Sequence, residues 1–222
     1  INNIHSKYYS ISKITKQNWV KKNQENLPSV TTNFISIHGT HINLINKRFN
    51  DVFLNAGNAF GSGHHESTIN AISLINFVLK KNKNLKNIID IGCGSGILSI
   101  IIAKVFKKKV LAIDNDPISC EITLNNAIYN KTEKLIDIKL NNGLHKINNK
   151  SFQLIVANIL FKPLLDMSLT IHNHLSSKSF LILSGIYLNE HLIIANQFAK
   201  HGFKIIKLID KNNWKSLLMY KE

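Results

Sequence analysis

Three glycines, each separated by one residue, stand in the segment Asp-Ile-Gly-Cys-Gly-Ser-Gly at residues 90–96, directly after an apolar run. Gly92 and Gly94 allow a tight turn and a close approach of the backbone to a ligand, and Gly96 allows the next helix to pack closely. Asp114 ends the following apolar run, where a carboxylate can accept hydrogen bonds from a ribose diol. The pattern predicts a nucleoside-binding site, with a plain strand-to-helix turn as the alternative.

The glycine spacing and an acid beside it indicate which nucleoside is bound. A dinucleotide site has the spacing GxGxxG, whereas this chain has GxGxG. Asp90 stands two residues before the first glycine, where it would repel a pyrophosphate and attract the ammonium group of a methionine moiety. These features favour S-adenosyl-L-methionine over NAD. The alternative for Asp90 is a carboxylate that caps the turn.

A second polar cluster, Asn-Ala-Phe-Gly-Ser-Gly-His-His-Glu-Ser-Thr, occupies residues 58–68 just before a predicted helix. Ser67 or Thr68 can hydrogen-bond a cofactor, or either can satisfy the start of the helix. His64 and His65 are adjacent, but no third ligand follows at metal-binding spacing, so we expect no metal site.

A third cluster, Ala-Asn-Ile-Leu-Phe, occupies residues 157–161 at the end of an apolar run. Asn158 is the candidate catalytic residue, because a polar side chain at the ligand edge of a strand can hold the substrate nitrogen or the cofactor. The alternative is an Asn that caps the next helix. The His-Asn-His string at residues 172–174 lacks acidic neighbours, and we interpret it as a solvated helix face.

The elements that must position these clusters alternate along the chain. Apolar runs typical of buried strands alternate with helical stretches, which predicts an α/β fold with a Rossmann-like, doubly wound sheet of seven strands. The last two strands are separated only by Asp-Lys-Asn-Asn, which predicts a C-terminal antiparallel hairpin. The predicted strands are 87–92, 109–114, 135–140, 152–158, 179–185, 203–209 and 214–220, and the predicted helices are 66–81, 95–107, 117–130, 160–176 and 189–201.

Composition limits the class of protein. The 222 residues include 28 Lys and Arg and 13 Asp and Glu, a formal net charge of +15. This charge favours an anionic partner such as nucleic acid or a ribosome, and a general bias toward Lys, Asn and Ile explains it equally well. Arg48 is the only arginine, which argues against bidentate recognition of phosphate or guanine.

Cysteine usage and hydropathy indicate the compartment. Cys93 and Cys120 are the only cysteines and form no Cys-x-x-Cys pair, so neither a metal knuckle nor a disulfide framework is expected. No apolar run reaches the ~18 residues of a membrane span, and no secretory signal is visible. These observations predict a cytoplasmic protein.

The three clusters together resemble the ribosomal protein L11 methyltransferase family (PrmA). The segments that carry the resemblance are AFGSGHHEST, IDIGCGSGILSIIIAK, AIDNDPIS, ANILFKPL, and LSG followed by a terminal GF…W…L. They run in the family's order from about Asn18 to the C-terminus. The resemblance implies a class I methyltransferase fold, S-adenosyl-L-methionine as the cofactor, and methylation of lysine or N-terminal amino groups of ribosomal protein L11.

Carried over by position, the family's cofactor contacts fall on Thr68, Gly92, Asp114 and Asn158. Phe60 and His65 match a loop that folds over the cofactor. Asp90 and Gly94 complete the predicted cofactor-binding set on the residue argument given above.

The front of the chain departs from the family's pattern. The family has an N-terminal α/β domain that recognises the ribosomal protein, whereas here residues 1–55 show one short strand-like piece, Phe-Ile-Ser-Ile-His-Gly. We therefore expect residues 1–55 to be an extension or linker, as a remnant or part of a recognition region, and residues 56–222 to be the methyltransferase domain. Ser62 also replaces the Thr usual in the family's loop.

Three other functions stay open from the sequence. A nucleic-acid amino-methyltransferase is the main alternative, since Asn158 to Phe161 distantly resembles an Asn-Pro-Pro-aromatic motif, although both prolines are absent. A ribosome-associated module that binds the cofactor without turnover is the second. An NAD oxidoreductase is the third, and the glycine spacing argues against it.

Overall fold

The computed structural model describes residues 28–46, 48–55, 61, 63–145, 147 and 151–222. The strands are β1 (Val30–Thr31), β2 (Ser36–Gly39), β3 (Asp51–Leu54), β4 (Ile88–Ile91), β5 (Val110–Asp114), β6 (Ile136–Leu140), β7 (Phe152–Asn158), β8 (Leu175–Tyr187), β9 (Phe203–Lys211) and β10 (Trp214–Lys221). The helices are α1 (Glu66–Lys81), α2 (Ile97–Phe106), α3 (Pro117–Tyr129), α4 (Phe161–Asp166), α5 (Ser168–His174) and α6 (Glu190–Ala199), with a 3₁₀ turn at Glu133–Leu135.

Seven strands form the main sheet in the order β6-β5-β4-β7-β8-β10-β9. The pairs from β6 to β8 are parallel, and β10 pairs antiparallel with both β8 and β9. The chain proceeds outward from β4 in one direction and then from β7 in the other, so the switch point lies between β4 and β7. The predicted Rossmann-like sheet with a C-terminal antiparallel hairpin is confirmed.

The core lies on both faces of this sheet. One cluster joins α1 and α2 to the sheet and includes the fully buried Ile72 and Ile101. The other lies under α4 to α6 and includes Phe152 and Phe198. Burial of each such side chain stabilises the fold by about 1.5–3 kcal/mol, so the two clusters hold the strand ends of the site in fixed positions.

The segment of residues 28–55, here called the strap, packs on the first of these clusters. It forms a small sheet, β1-β2-β3, in which β2 and β3 are parallel. Ile35, Ile37, Val52 and Leu54 are buried members of the cluster that contains α1 and α2. The expected boundary between residues 55 and 56 stays a prediction.

Two sequence expectations on the second face are wrong. The single helix expected over 160–176 is two helices that meet at Met167, whose φ of −86° and ψ of 0° interrupt the helix. The expected solvated histidines are half-buried, because α5 packs on β8. The His174 ring nitrogens lie 2.8 Å from the Thr170 carbonyl and 3.1 Å from the Ile147 carbonyl.

None of the described helices combines the length and apolar character needed to cross a lipid bilayer.

Candidate functional site

Three of the predicted site residues emerge side by side at the carboxyl edge of the sheet. Ile91 pairs with Ile113 on one side and with Ala157 on the other, all in parallel register. The residues that follow these three are Gly92, Asp114 and Asn158. This edge, at the switch point, is where open α/β sheets bind ligands.

The glycine loop is held against the sheet by its own backbone. The N–H groups of Gly92 and Cys93 donate to the Ile113 carbonyl at 2.8 and 3.0 Å. Gly92 has φ +71°, and a Cβ there would lie 2.3 Å from Cγ2 of Ile159. Only glycine fits this turn, which leaves the backbone exposed to a ligand on the open side.

Asp114 is oriented by two backbone donors. The Gly94 N–H donates to Oδ2 at 2.9 Å and the Asp116 N–H donates to Oδ1 at 3.0 Å. The side chain stays 9% exposed at the mouth of a cavity. Each carboxylate oxygen retains a further acceptor site, so the group can accept from a ribose diol without rearrangement.

The cavity beside Asp114 has a volume of about 530 Å³ and lies beyond the ends of β4, β5 and β6. Its wall combines asparagine amides with apolar side chains, a combination suited to a nucleoside. This lining was not predicted from the sequence, although Leu-Asn-Asn-Gly at the end of β6 is a polar signal at the ligand edge. The lining residues include Asn115, Asn141, Asn142, Leu160, Pro163 and Met167.

Asp90 is only 1% exposed and caps the start of α2. Its Oδ2 accepts from the Ser99 N–H at 3.2 Å and from the Ser99 hydroxyl at 2.7 Å. Burial raises the pKa of Asp90 to about 6, against the lowering effect of the Ser99 hydrogen bonds. Within the described chain its Oδ1 has no hydrogen-bond partner. The capping alternative therefore accounts for one oxygen of Asp90 and leaves the other without a described partner.

Thr68 and Asn158, which are 90 residues apart in the chain, meet at this edge. The Asn158 amide donates to the fully buried Thr68 hydroxyl at 3.3 Å. Asn158 does not cap the next helix, since α4 begins after Leu160 without a side-chain cap. Its Oδ1 is buried, and no described residue donates to it. The amide is therefore fixed with one acceptor unused.

His65 has a structural task at the start of α1. Its Nδ1 accepts from the Ser67 N–H at 3.3 Å and lies 2.7 Å from the Ser67 hydroxyl. Its ring also packs edge-on against Trp214, with centroids 4.4 Å apart. The helix start is thus satisfied by His65, which leaves Thr68 available to Asn158. Phe60 lies outside the described residues.

The other half of the second cluster contacts the glycine loop and the strap. The Ser95 hydroxyl donates to the Gly61 carbonyl at 2.6 Å, which anchors that segment beside the glycine loop. Nε2 of His64 lies 2.6 Å from the Pro28 carbonyl. Across the described ranges, no three His, Cys, Asp or Glu side chains come together as metal ligands.

A parallel sheet with a C-terminal antiparallel hairpin, a glycine loop after β4 and an acid after β5 define a class I methyltransferase fold. Solved structures agree: a methyltransferase from Pyrococcus furiosus covers 67% of this chain and 81% of its own, with 16% identity and a TM-score of 0.56. An RNA methyltransferase from Salinibacter ruber, solved with S-adenosyl-L-homocysteine, matches over 68% of this chain and 90% of its own, with 12% identity and a TM-score of 0.55. At such identities the likeness concerns the fold alone.

The family follows from closer matches. The model of the family "Ribosomal protein L11 methyltransferase (PrmA)" matches residues 1–222, so the chain belongs to this family of methyltransferases. A ribosomal protein L11 methyltransferase of Agrobacterium fabrum is 31% identical over 208 residues, which are 92% of this chain and 71% of that protein. That of Allorhizobium ampelinum is 31% identical over 200 residues, 88% of this chain and 69% of that protein.

A solved structure of the same family is also similar. The ribosomal protein L11 methylase from Lactobacillus delbrueckii subsp. bulgaricus superposes with a TM-score of 0.76 at 27% identity. The match covers 87% of this chain and 98% of that one.

Proposed function

We propose that this chain transfers methyl groups from S-adenosyl-L-methionine to amino groups of ribosomal protein L11, on lysine side chains or the N-terminus. The observation that carries the proposal is the fixed Asn158 amide, with one buried acceptor unused, directly beside the glycine loop. Membership of the family supports the choice of substrate.

The residues at the sheet edge fit the cofactor group by group. Asp114 can accept hydrogen bonds from the ribose, the asparagine-lined cavity can hold the adenine, and the unpartnered oxygen of Asp90 can attract the methionine ammonium. When bound, the cofactor supplies a methyl group already activated by the sulfonium charge. The proposed binding set is Thr68, Gly92, Gly94, Asp114 and Asn158, with Asp90, Phe60 and His65.

The chain's own part in the reaction is to orient an amine and exclude water. The free Oδ1 of Asn158 can accept an N–H of the neutral amine and so direct its lone pair. An amide oxygen is too weak a base to take a proton, so we propose that solvent removes it before transfer. A lysine amine with a pKa of ~10.4 is less than ~0.1% neutral at pH 7.

This proton loss gives a pH signature. The rate of methyl transfer should rise steadily toward pH 9, because the neutral fraction of the amine rises with pH. A rate that is flat from pH 6 upward would show that a protein group removes the proton instead.

The test of the function is transfer of a tritiated methyl group to two acceptors, purified ribosomal protein L11 and total RNA from the same cell. Label on the protein supports the proposal. Label on RNA alone overturns it in favour of a nucleic-acid amino-methyltransferase, for which the net charge of +15 is the supporting observation. Cofactor binding without label on either acceptor indicates a binding module without turnover.

We also propose that residues 56–222 form the catalytic unit, that residues 1–55 contribute to substrate recognition, and that the reaction takes place in the cytoplasm. A ribosomal protein substrate supports the compartment, as do two cysteines that are both free thiols.

A further inference from the structure

Three aromatic rings form a continuous wall at the start of the C-terminal hairpin strand. Trp214 opens β10, and its ring lies 4.4 Å from that of His65 and 5.1 Å from that of Tyr187, centroid to centroid. We call these three residues the aromatic wall. His65 meets Trp214 edge-on at 71°, and Tyr187 is tilted by 57°.

The aromatic wall is attached directly to the residues around Asn158. His65 lies one helical turn before Thr68, the partner of Asn158. The Asn70 amide, on the same helix, donates to the Trp214 carbonyl at 3.1 Å. Residues of β8 also connect the aromatic wall to Asn158.

Gly185, two residues before Tyr187, packs against Asn158. A Cβ at Gly185 would lie 3.3 Å from Asn158 Oδ1 and 2.5 Å from the Ile159 carbonyl. In addition, Tyr187 pairs with Trp214 in the register of β8 and β10. The wall therefore borders the site on the side away from the nucleoside cavity.

Two carboxylates stand at the rim of the aromatic wall. Glu66 follows His65 and accepts from the Asn212 amide at 2.8 Å. Glu190 accepts from the Tyr187 N–H at 2.9 Å. The Asn212 hydrogen bond, together with the nearby Lys211 charge, lowers the pKa of Glu66 and keeps it ionised. In a chain with a net charge of +15, this rim brings two carboxylates together beside the Lys211 charge.

We propose that the aromatic wall and its two carboxylates receive the cationic end of the substrate side chain, and that they bind an alkylated ammonium more tightly than a neutral group of the same shape. The proposal rests on the amine-methylating function proposed above. Aromatic faces attract ammonium ions through the ring quadrupole, and quaternary ammonium groups are recognised in this way. The carboxylates add a long-range attraction that salt weakens.

A planar base is the competing occupant. Adenine could stack on Trp214, which would suit a nucleic-acid substrate. The carboxylates favour the cation, because they would repel the phosphates that accompany a base.

The test measures binding of two short acetylated peptides by calorimetry with the full chain. One has a central trimethyllysine, and the other has a carbon atom in place of its quaternary nitrogen. We expect the wild type to prefer the cationic peptide by about 5- to 30-fold. Trp214→Leu should abolish this preference, and Trp214→Phe should retain part of it.

A second readout is the methylation of ribosomal protein L11. Trp214→Leu and Tyr187→Leu should raise KM for the protein, with the affinity for S-adenosyl-L-methionine unchanged. Glu66→Gln with Glu190→Gln should reduce the salt dependence of KM. Tyr220→Leu is the matched control, since Tyr220 lies at the other end of β10 against Phe180 and should change neither quantity.

The outcomes separate this proposal from the proposed function. If the wild type methylates no protein but prefers the cationic peptide, the proposed function is refuted and cation binding at the aromatic wall is supported. If it methylates the protein and Trp214→Leu keeps the same KM and peptide preference, the wall proposal is overturned. Tighter binding of adenosine monophosphate than of trimethyllysine peptide, lost in Trp214→Leu, overturns it in favour of a base. Tyr187→Leu, at a residue 42% exposed, decides the case if Trp214→Leu does not fold.

Discussion

At the scale of single residues, five buried side-chain atoms of the described residues lack a hydrogen-bond partner, and two of them are oxygens at the site. They are Oδ1 of Asn158 and Oδ1 of Asp90. A buried polar atom left without a hydrogen bond costs about 1–3 kcal/mol, so native proteins contain few of them. Both oxygens lie at the switch point of the sheet, where a ligand with N–H donors would satisfy them.

Replacing Asn158 tests its proposed role. Asn158→Ala should lower kcat/KM for methylation by about 100-fold, because the amine loses the acceptor that orients it. Cofactor affinity should fall less, since Asp114 and the glycine loop remain. Steady-state kinetics with calorimetry separates the two effects. Asn173→Ala, at an exposed position on α5, is the matched control, and an equal effect of both variants would refute the assignment.

Asp90 predicts a pH dependence with a definite sign. Its folded pKa of about 6 exceeds the ordinary value of 3.8 for an aspartate, so the folded state binds more protons between these values. Its contribution to stability is therefore complete below pH 3.8 and is lost as the pH rises through 6. The difference is about 3 kcal/mol at most.

Asp90→Asn should remove this pH-dependent part of the free energy of unfolding, which urea unfolding between pH 4.5 and 8 measures. If Asp90 also holds the cofactor ammonium, wild-type affinity should rise across pH 6 and that of the variant should not. Asp137→Asn, at an exposed pair with Lys139, serves as the control. A parallel pH profile for wild type and variant would contradict both roles.

At the scale of elements, Asn126 of α3 and Asn130 at its end hydrogen-bond the backbone of β3 and of the residue after it, as a neighbouring strand would. Asn130 accepts from the Phe53 N–H at 3.0 Å and donates to the Phe53 carbonyl at 2.6 Å. Asn126 exchanges the same two bonds with Asn55, at 2.9 and 3.0 Å. Asn126 also donates to the Ser95 carbonyl at 2.8 Å, which links the strap to the glycine loop.

The additional hydrogen bond of Asn126 to the Ser95 carbonyl distinguishes it from Asn130 and gives a test. Asn126→Ala and Asn130→Ala should each lower the free energy of unfolding by about 2–4 kcal/mol, because the backbone of Asn55 or Phe53 loses two side-chain hydrogen bonds. Only Asn126→Ala should also weaken cofactor binding, by about 10-fold, since it releases Ser95. Chemical unfolding and calorimetry measure the two effects. Equal cofactor affinities in the two variants would show that the strap does not act on the glycine loop.

At the scale of the whole molecule, the strap and the main sheet share one core, since Ile35, Ile37, Val52 and Leu54 of the strap lie in the cluster that contains α1 and α2.

Within the strap, His38 is buried beside Asp51, with Nε2 and Oδ1 3.1 Å apart, and Nδ1 of His38 lies 2.7 Å from the Ser29 hydroxyl. Burial opposes ionisation of Asp51, but the Arg48 N–H and His38 outweigh it and lower its pKa. This contribution to stability is present above pH 3.8 and is lost as the pH falls through the lowered pKa.

A shared core predicts cooperative unfolding. Ile37→Ala should lower the free energy of unfolding by about 2–5 kcal/mol while the chain still unfolds in one transition. Circular dichroism and intrinsic fluorescence should report coincident curves. Ile45→Ala, at a fully exposed position of the strap, should change stability by less than about 0.5 kcal/mol. A second transition, with the main one unshifted in Ile37→Ala, would show that the strap folds independently.

The alternation of strands and helices, and the edge of the sheet at which the site lies, follow from the amino-acid sequence. Apolar runs have the periods of strands and helices, and parallel strands must expose their carboxyl ends together. Gly92, Asp114 and Asn158 each follow such a run, so their common location could be read without coordinates. The break at Met167 could not, because the apolar pattern continues through it.

The pairing of side chains at that edge, in contrast, depends on the packing of the folded chain. Thr68 meets Asn158 across 90 residues, and Asp90 turns to cap α2, because packing on one face of the sheet fixes where α1 and α2 begin. The same holds for the aromatic wall, which unites α1, β8 and β10. Such contacts between distant residues cannot be predicted from local sequence, since they depend on the order of the strands in the sheet.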